Sequence, residues 1–184
     1  MQYRLFFAFS VPPEIARTIA QAQAELKKRL NSIKIAWTSP DTFHVTVHFL
    51  GAVDDKQLPD IARMAGLTAR RQSAFFYTLN RLDVFPNFFS ARVLTLSLTG
   101  GDPTSQEIHF QLLRGLDQLG IAVNTRPWIP HITLGRIKSR LTHVRLPDVL
   151  VPPATWPVTS IDLMSSDLRS DGPVYTKLNS FSLT

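Results

Sequence analysis

Two short segments of this chain carry the residue types that proton-transfer chemistry uses, in the same order and at the same spacing: His44-Val45-Thr46-Val47 and His131-Ile132-Thr133-Leu134. Side chains alternate faces along a strand, so His44 and Thr46 share one face while Phe43, Val45, Val47 and Phe49 pack on the other. His131 and Thr133 likewise face together, with Ile132 and Leu134 behind them. A lone His-x-Thr on a strand is commonplace. Two copies, each on an apolar strand with a Gly close behind, point to a functional pair among only five histidines. An unperturbed imidazole titrates near 6.5, so around pH 7 one ring can serve as base and the other as acid. Such a pair suits the opening of a cyclic phosphodiester. The base takes a proton from water, the acid protonates the departing oxygen, and the threonine hydroxyls donate to non-bridging phosphate oxygens. Neither metal nor cofactor is required.

Arg136 would add a guanidinium to this phosphate site. It stands an odd number of residues from His131, however, so on a regular strand it points away unless Gly135 marks a bulge. By the same alternation His48 shares the face of His44 and Thr46, about 13 Å from His44, too far to touch the same phosphate. It reads as rim or core. His109, near the start of a helix, and His143, in a basic loop, read as surface histidines. The aromatic loop Phe85-Pro86-Asn87-Phe88-Phe89 is the best placed to contact a base, because phenyl rings stack on single-stranded RNA without reading its sequence.

The elements that must position these residues follow from periodicity. Arg4 to Phe9 is an aromatic-rich strand, and Pro12-Pro13 starts an amphipathic helix to about Leu30 with Ile15, Ile19, Ala22, Leu26 and Leu30 on one side. Strands are expected at Ile33 to Trp37 and Phe43 to Leu50, the latter ended by Gly51. A second helix runs from Asp54-Asp55 to about Arg71, with Leu58, Ile61, Met64 and Leu67 inward. The second half repeats this order. Strands cover Phe75 to Leu79 and Arg92 to Leu98, a capping box Thr104-Ser105-Gln106-Glu107 opens a helix closed by Gly120, and His131 to Ile137, Ile161 to Met164 and Val174 to Leu178 are strands. Strands and helices in no regular βαβ alternation predict an α+β protein of mostly antiparallel sheet. Two lobes related by a pseudo-twofold axis would bring the two polar faces together across a cleft.

Composition narrows the alternatives. The 184 residues fit a single domain with a sizeable core. There is no cysteine, which excludes disulfides, thiolate metal sites and cysteine nucleophiles. The sequence carries no Gly-rich phosphate loop and no Gly-x-Ser-x-Gly elbow. Formal charge is +6, which favours polyanions, and the densest basic stretch is Arg136, Lys138, Arg140 and Arg145 with His143 between. No apolar run reaches the roughly 18 residues a membrane helix needs, so a cytoplasmic protein is expected.

His44-Val45-Thr46-Val47-His48-Phe49-Leu50-Gly51 and Pro130-His131-Ile132-Thr133-Leu134-Gly135-Arg136 resemble the paired signatures of the two-histidine (2H) phosphoesterase superfamily. Within it they are similar to the RNA 2′,3′-cyclic phosphodiesterases, also named 2′-5′ RNA ligases. Arg4-Leu5-Phe6-Phe7-Ala8, Arg92-Val93-Leu94 and Tyr175-Thr176-Lys177-Leu178 extend the resemblance along the chain, and Val47 departs from it where the family often has Leu. The resemblance implies one bilobal domain over residues 1–184, with helices packed outside and a central cleft. It implies His44 as proton donor, His131 as proton acceptor, Thr46 and Thr133 as phosphate binders, and Arg136 as a further phosphate contact. The implied partner is RNA ending in a 2′,3′-cyclic phosphate, or a cyclic nucleotide, opened by a monomer to a 2′-phosphate with 2′-5′ ligation as the reverse reaction. Two other readings fit the same motifs: a non-catalytic nucleotide- or RNA-binding module, and a phosphodiesterase for a small cyclic nucleotide.

Overall fold

A computed structural model describes residues 1–139, 143–169 and 172–184. These form nine strands and three α-helices. In chain order they are β1 (Gln2–Ser10), α1 (Pro13–Arg29), β2 (Ile35–Trp37), β3 (His44–Asp54), α2 (Leu58–Ala69), β4 (Phe75–Phe85), β5 (Val93–Gly100), α3 (Thr104–Gln118), β6 (His131–Ile137), β7 (Thr155–Val158), β8 (Ser160–Arg169) and β9 (Gly172–Ser182). The fold is α+β, as the element pattern predicts, and all strand pairings are antiparallel.

The strands make one sheet in the order β7-β4-β5-β6-β3-β1-β8-β9, with β2 added to β6. Its centre is the pair that carries the two motifs. β3 and β6 meet through a single residue pair, Val45 with Ile132, immediately beside His44 and His131. Each side of that junction holds four consecutive strands. These sheet halves are not halves of the sequence: the C-terminal hairpin β8–β9 completes the side begun by β1, because Phe6 and its neighbours pair with Met164 and its neighbours. The repeat of element order along the chain therefore does not map onto the two sides.

Apolar faces dictate where the helices lie. Ile15, Ile19 and Leu26 of α1, Ile61 and Ala65 of α2, and Ile108, Leu112 and Leu116 of α3 share one core with Val45, Val47, Ile132 and Leu134. The backs of both motif strands are thus sealed, and their polar faces look away from the helices. In α2 the inward stripe runs through Ile61, Ala65, Thr68 and Ala69, whereas Leu67, expected inside, is 46% exposed.

Other boundaries differ for local reasons. β3 runs on past Gly51, whose φ of +76° lets the strand bend without ending. The capping box before α3 does not form: Pro103 takes the N-cap position, so Thr104 is already the first helical residue and makes no cap bond. β7, unexpected because it contains Pro157, is an edge strand on β4, where a missing N–H is tolerated. No helix among the described residues is long and apolar enough to cross a membrane.

Candidate active site

Both motif strands contain a β-bulge one residue beyond the threonine. In β3, His48 pairs with Phe7 but Thr46 pairs with Ala8, so Val47 is an extra residue. In β6, Gly135 pairs with Leu94 but Thr133 pairs with Thr95, so Leu134 is extra. An extra residue reverses the alternation that follows it. On β6 this turns Arg136 to the face of His131 and Thr133. On β3 it turns His48 into the interior, 5% exposed, and brings out Phe49, 54% exposed. The expectations for these two residues are therefore exchanged: Phe49 does not join the apolar back, and His48 does not share the face of His44. His44, Thr46 and Phe49 repeat at the spacing of His131, Thr133 and Arg136, with a phenyl ring standing where the other strand has a guanidinium.

Gly135 is required by its neighbours rather than by its backbone angles. A Cβ there would lie 2.7 Å from Ile35 Cγ2 and 3.2 Å from the Ala36 carbonyl oxygen, since β2 crosses at that point. The bulge is held from the other side by Gln23 of α1. This fully buried amide donates from Nε2 to the Thr38 carbonyl at 2.8 Å and to the Leu134 carbonyl at 2.9 Å. Thr38 N–H donates to the same Leu134 oxygen at 3.0 Å. On the β3 side, Trp128 Nε1–H donates to the Thr46 carbonyl at 2.8 Å.

The two imidazoles are oriented alike. His44 Nδ1 lies 2.7 Å from the Thr42 carbonyl oxygen, and His131 Nδ1 lies 2.7 Å from the Ile129 carbonyl oxygen. A carbonyl can only accept, so each Nδ1 carries a hydrogen and each Nε2 is the free, titrating nitrogen. In neutral His44 the Thr46 hydroxyl donates to Nε2 at 3.0 Å. Aromatic rings brace both side chains. Phe6 and Tyr175 pack on His44 at 5.0 and 5.2 Å between centroids, and Phe85 packs on His131 at 4.8 Å.

Burial holds the His44 imidazole below its ordinary value, against the upward pull of the Thr42 bond, and the His131 and Arg136 charges push it the same way. Burial also lowers His131, opposed by the Ile129 bond and reinforced by Arg136. The Tyr175 phenol is raised by burial, while Arg136 and Arg4 pull it down. Arg136 is thus the positive centre of the site.

Two cavities meet here. One, of about 510 Å³, is lined by His44, Tyr175, Trp37 and Lys138. The other, of about 400 Å³, is lined by His131, Phe85, Trp128 and Arg126. Thr46, Thr133, Phe49 and Arg136 line both. A group seated between the threonines therefore has one histidine on each side.

His109, expected at the surface, is buried and stacks on Trp128 with 14° between planes, next to His48. Burial lowers both imidazoles, His109 to about 4, with His48 adding to that effect. His143 is exposed, as expected. Of the basic stretch, Arg136 and Lys138 line the cleft, Arg145 lies apart from it, and Arg140 is outside the described residues. Among the described residues no three His, Asp or Glu side chains gather in a way that could hold a metal ion. Phe49, Tyr175, Trp128 and His109 are among the cleft-lining residues that strand alternation did not indicate. The equal spacing 44/46/49 and 131/133/136 was the available signal for Phe49.

A curled antiparallel sheet presenting two matched His-x-Thr strands across one cleft defines a phosphoesterase of the two-histidine class. Residues 9–95 match the family model described as LigT like phosphoesterase, a stretch that includes the first motif. An RNA 2′,3′-cyclic phosphodiesterase of Thermus thermophilus is 32% identical over 98% of this chain and 90% of that protein, and one of Thermotoga maritima is 28% identical over 95% and 92%. Among solved structures, TT0787 of Thermus thermophilus superposes with a TM-score of 0.81 at 30% identity, covering 98% of this chain and 97% of that one. E. coli LigT complexed with 3′-AMP superposes with a TM-score of 0.79 at 26% identity, over 100% and 99%. The chain belongs to the LigT-like phosphoesterase family.

Proposed function

We propose that this protein is an RNA 2′,3′-cyclic phosphodiesterase that opens the cyclic end to a 2′-phosphate by general acid–base catalysis. The observation that carries the reading is the pair of Nε2 atoms, each freed by an Nδ1–H bond to the carbonyl two residues earlier, on opposite sides of a wall shared by two threonines and an arginine. The phosphate sits on that wall, held by the Thr46 and Thr133 hydroxyls and by Arg136, whose guanidinium suits a phosphate anion. His131 Nε2 takes a proton from water as the water oxygen bonds to phosphorus. The P–O3′ bond breaks in line, and His44 Nε2–H protonates O3′. His44 ends neutral and His131 protonated, and exchange with solvent restores both. The relatives named for this reaction match nearly the whole chain. Replacing water by an RNA 5′-hydroxyl as the nucleophile of the same ring opening, with P–O5′ forming as P–O3′ breaks, would form a 2′-5′ linkage. All groups come from one chain, which supports action as a monomer, and the cysteine-free composition suits the cytoplasm.

The assay is hydrolysis, in EDTA, of RNA ending in a 2′,3′-cyclic phosphate and of a p-nitrophenyl phosphodiester. Wild type turns over both and yields the 2′-phosphate isomer. His44→Ala loses roughly 10² to 10⁴ on RNA, as removal of an acid should, and much less on p-nitrophenolate, which leaves without a proton. His131→Ala is slow on both. Rescue of His131→Ala instead of His44→Ala reverses the roles, and activity that depends on added divalent ions overturns the mechanism.

A further inference from the structure

We infer that the chain has a second RNA contact outside the cleft: a groove between the β4–β5 turn and the segment that begins at His143 docks the single-stranded RNA leading to the cyclic end. This rests on the phosphodiesterase reading. The groove has a volume of about 630 Å³ and is lined by Arg81, Phe88, His143 and Arg145, with Asp148 as its acidic member. Two phenyl rings stand in water at this edge, Phe88 on the groove and 40% exposed, and Phe89 beside it and 72% exposed. The core does not account for them, and neither do mobile loops, because the turn is tied down. Asn87 Oδ1 accepts from Phe89 N–H, Ser90 N–H and the Ser90 hydroxyl at 3.0 to 3.1 Å. Val144 N–H donates to the Phe88 carbonyl at 2.8 Å, which joins the groove's two walls, and the Phe89 ring meets His143 edge-on at 5.3 Å.

Rigid exposed rings beside guanidinium groups match what unpaired RNA offers, π-faces for stacking and phosphates for cations. The groove is also tied to the site through the chain. Phe85 packs on His131, and Phe89 follows four residues later, within about 14 Å of chain. RNA whose end lies on the shared phosphate wall can therefore run along this turn.

The test compares Phe89→Ala and Arg145→Ala on two substrates, a 2′,3′-cyclic mononucleotide and a single-stranded oligonucleotide with the same end. Neither residue lines the cleft. We expect mononucleotide kinetics to be unchanged. For Phe89→Ala the oligonucleotide KM rises about tenfold, the loss expected from one stacked base. For Arg145→Ala the salt dependence of oligonucleotide kcat/KM flattens by about 0.7 in log–log slope. Unchanged oligonucleotide KM and salt slope in both variants overturn the groove, as does an equal loss on both substrates. Binding of an oligonucleotide with a 3′-hydroxyl end, followed by anisotropy, keeps the two readings separate: a wild-type protein that turns over neither substrate ends the phosphodiesterase reading, while variant-sensitive binding still supports the groove. Binding of labelled polyglutamate with no binding of RNA assigns the surface to an acidic protein and overturns it.

Discussion

Gln23→Met tests how the site is held in shape. Methionine keeps the length and bulk of the side chain and removes both donors. The Leu134 carbonyl keeps its bond from Thr38 N–H, whereas the Thr38 carbonyl loses the donor that Gln23 supplied. Orphaning a part-buried acceptor costs toward the lower end of about 1–3 kcal/mol and losing the shared bond roughly 0.5–1.5 kcal/mol more, so we expect about 2–3 kcal/mol in all. A domain of this size then melts about 4–12 °C lower and remains folded at 25 °C. The functional effect is larger than the thermal one. Leu134 is the extra residue of the bulge, so relaxing its carbonyl moves Thr133 and Arg136 on either side of it, and a displacement of about 1 Å at a reacting centre costs on the order of 10²-fold. We expect kcat/KM for the cyclic end to fall about 10- to 100-fold at a temperature where circular dichroism shows the native fold. A simple loss of stability would leave the pH profile in place. Withdrawal of Arg136 from the imidazoles instead moves the limbs of kcat/KM upward, because the guanidinium helps to depress both. Activity within twofold of wild type with an unmoved profile would show that the sheet ladder alone holds the bulge.

Two further expectations concern protonation. The rate should be bell-shaped in pH with limbs that belong to the histidine pair, and Arg136→Ala should shift the kcat/KM bell to higher pH while raising KM; a shift to lower pH refutes the assigned electrostatics. Because His109 titrates at about 4 when folded and near 6.5 when unfolded, the unfolded chain takes up its proton first. Stability from this group is present above about 6.5 and is lost as pH falls through about 4, so urea midpoints of His109→Phe should decline less between those values than wild type.

The parts of the site that were legible in the sequence obey a local rule. His44 with Thr46, and His131 with Thr133, fall two apart on strands whose other faces are apolar, and that spacing survives because both bulges lie beyond the threonines. Beyond the bulges plain alternation misplaced His48 and Phe49, and it put Arg136 in the cleft only on condition of a bulge, since a bulge depends on the partner strand as much as on its own residues. Gln23 was invisible for a related reason: it acts on an oxygen 111 residues away. A glutamine within an apolar helical stripe carries no sign of what it bonds. Trp128 and His109 belong together only through β3 and α3, and a histidine near a helix start reads as solvated until its stacking partner is known. The edge strand Thr155–Val158 was hidden by its proline, whose missing donor matters only if a neighbour needs it.

The single contact between β3 and β6 has a mechanical meaning. Val45 and Ile132 form a pivot, and the histidines sit one residue from it, where rotation of one sheet half against the other produces the least displacement. Any such rotation would be amplified along the strands, so that at six residues from the pair, about 20 Å, the cleft rim would move several times further than the imidazoles.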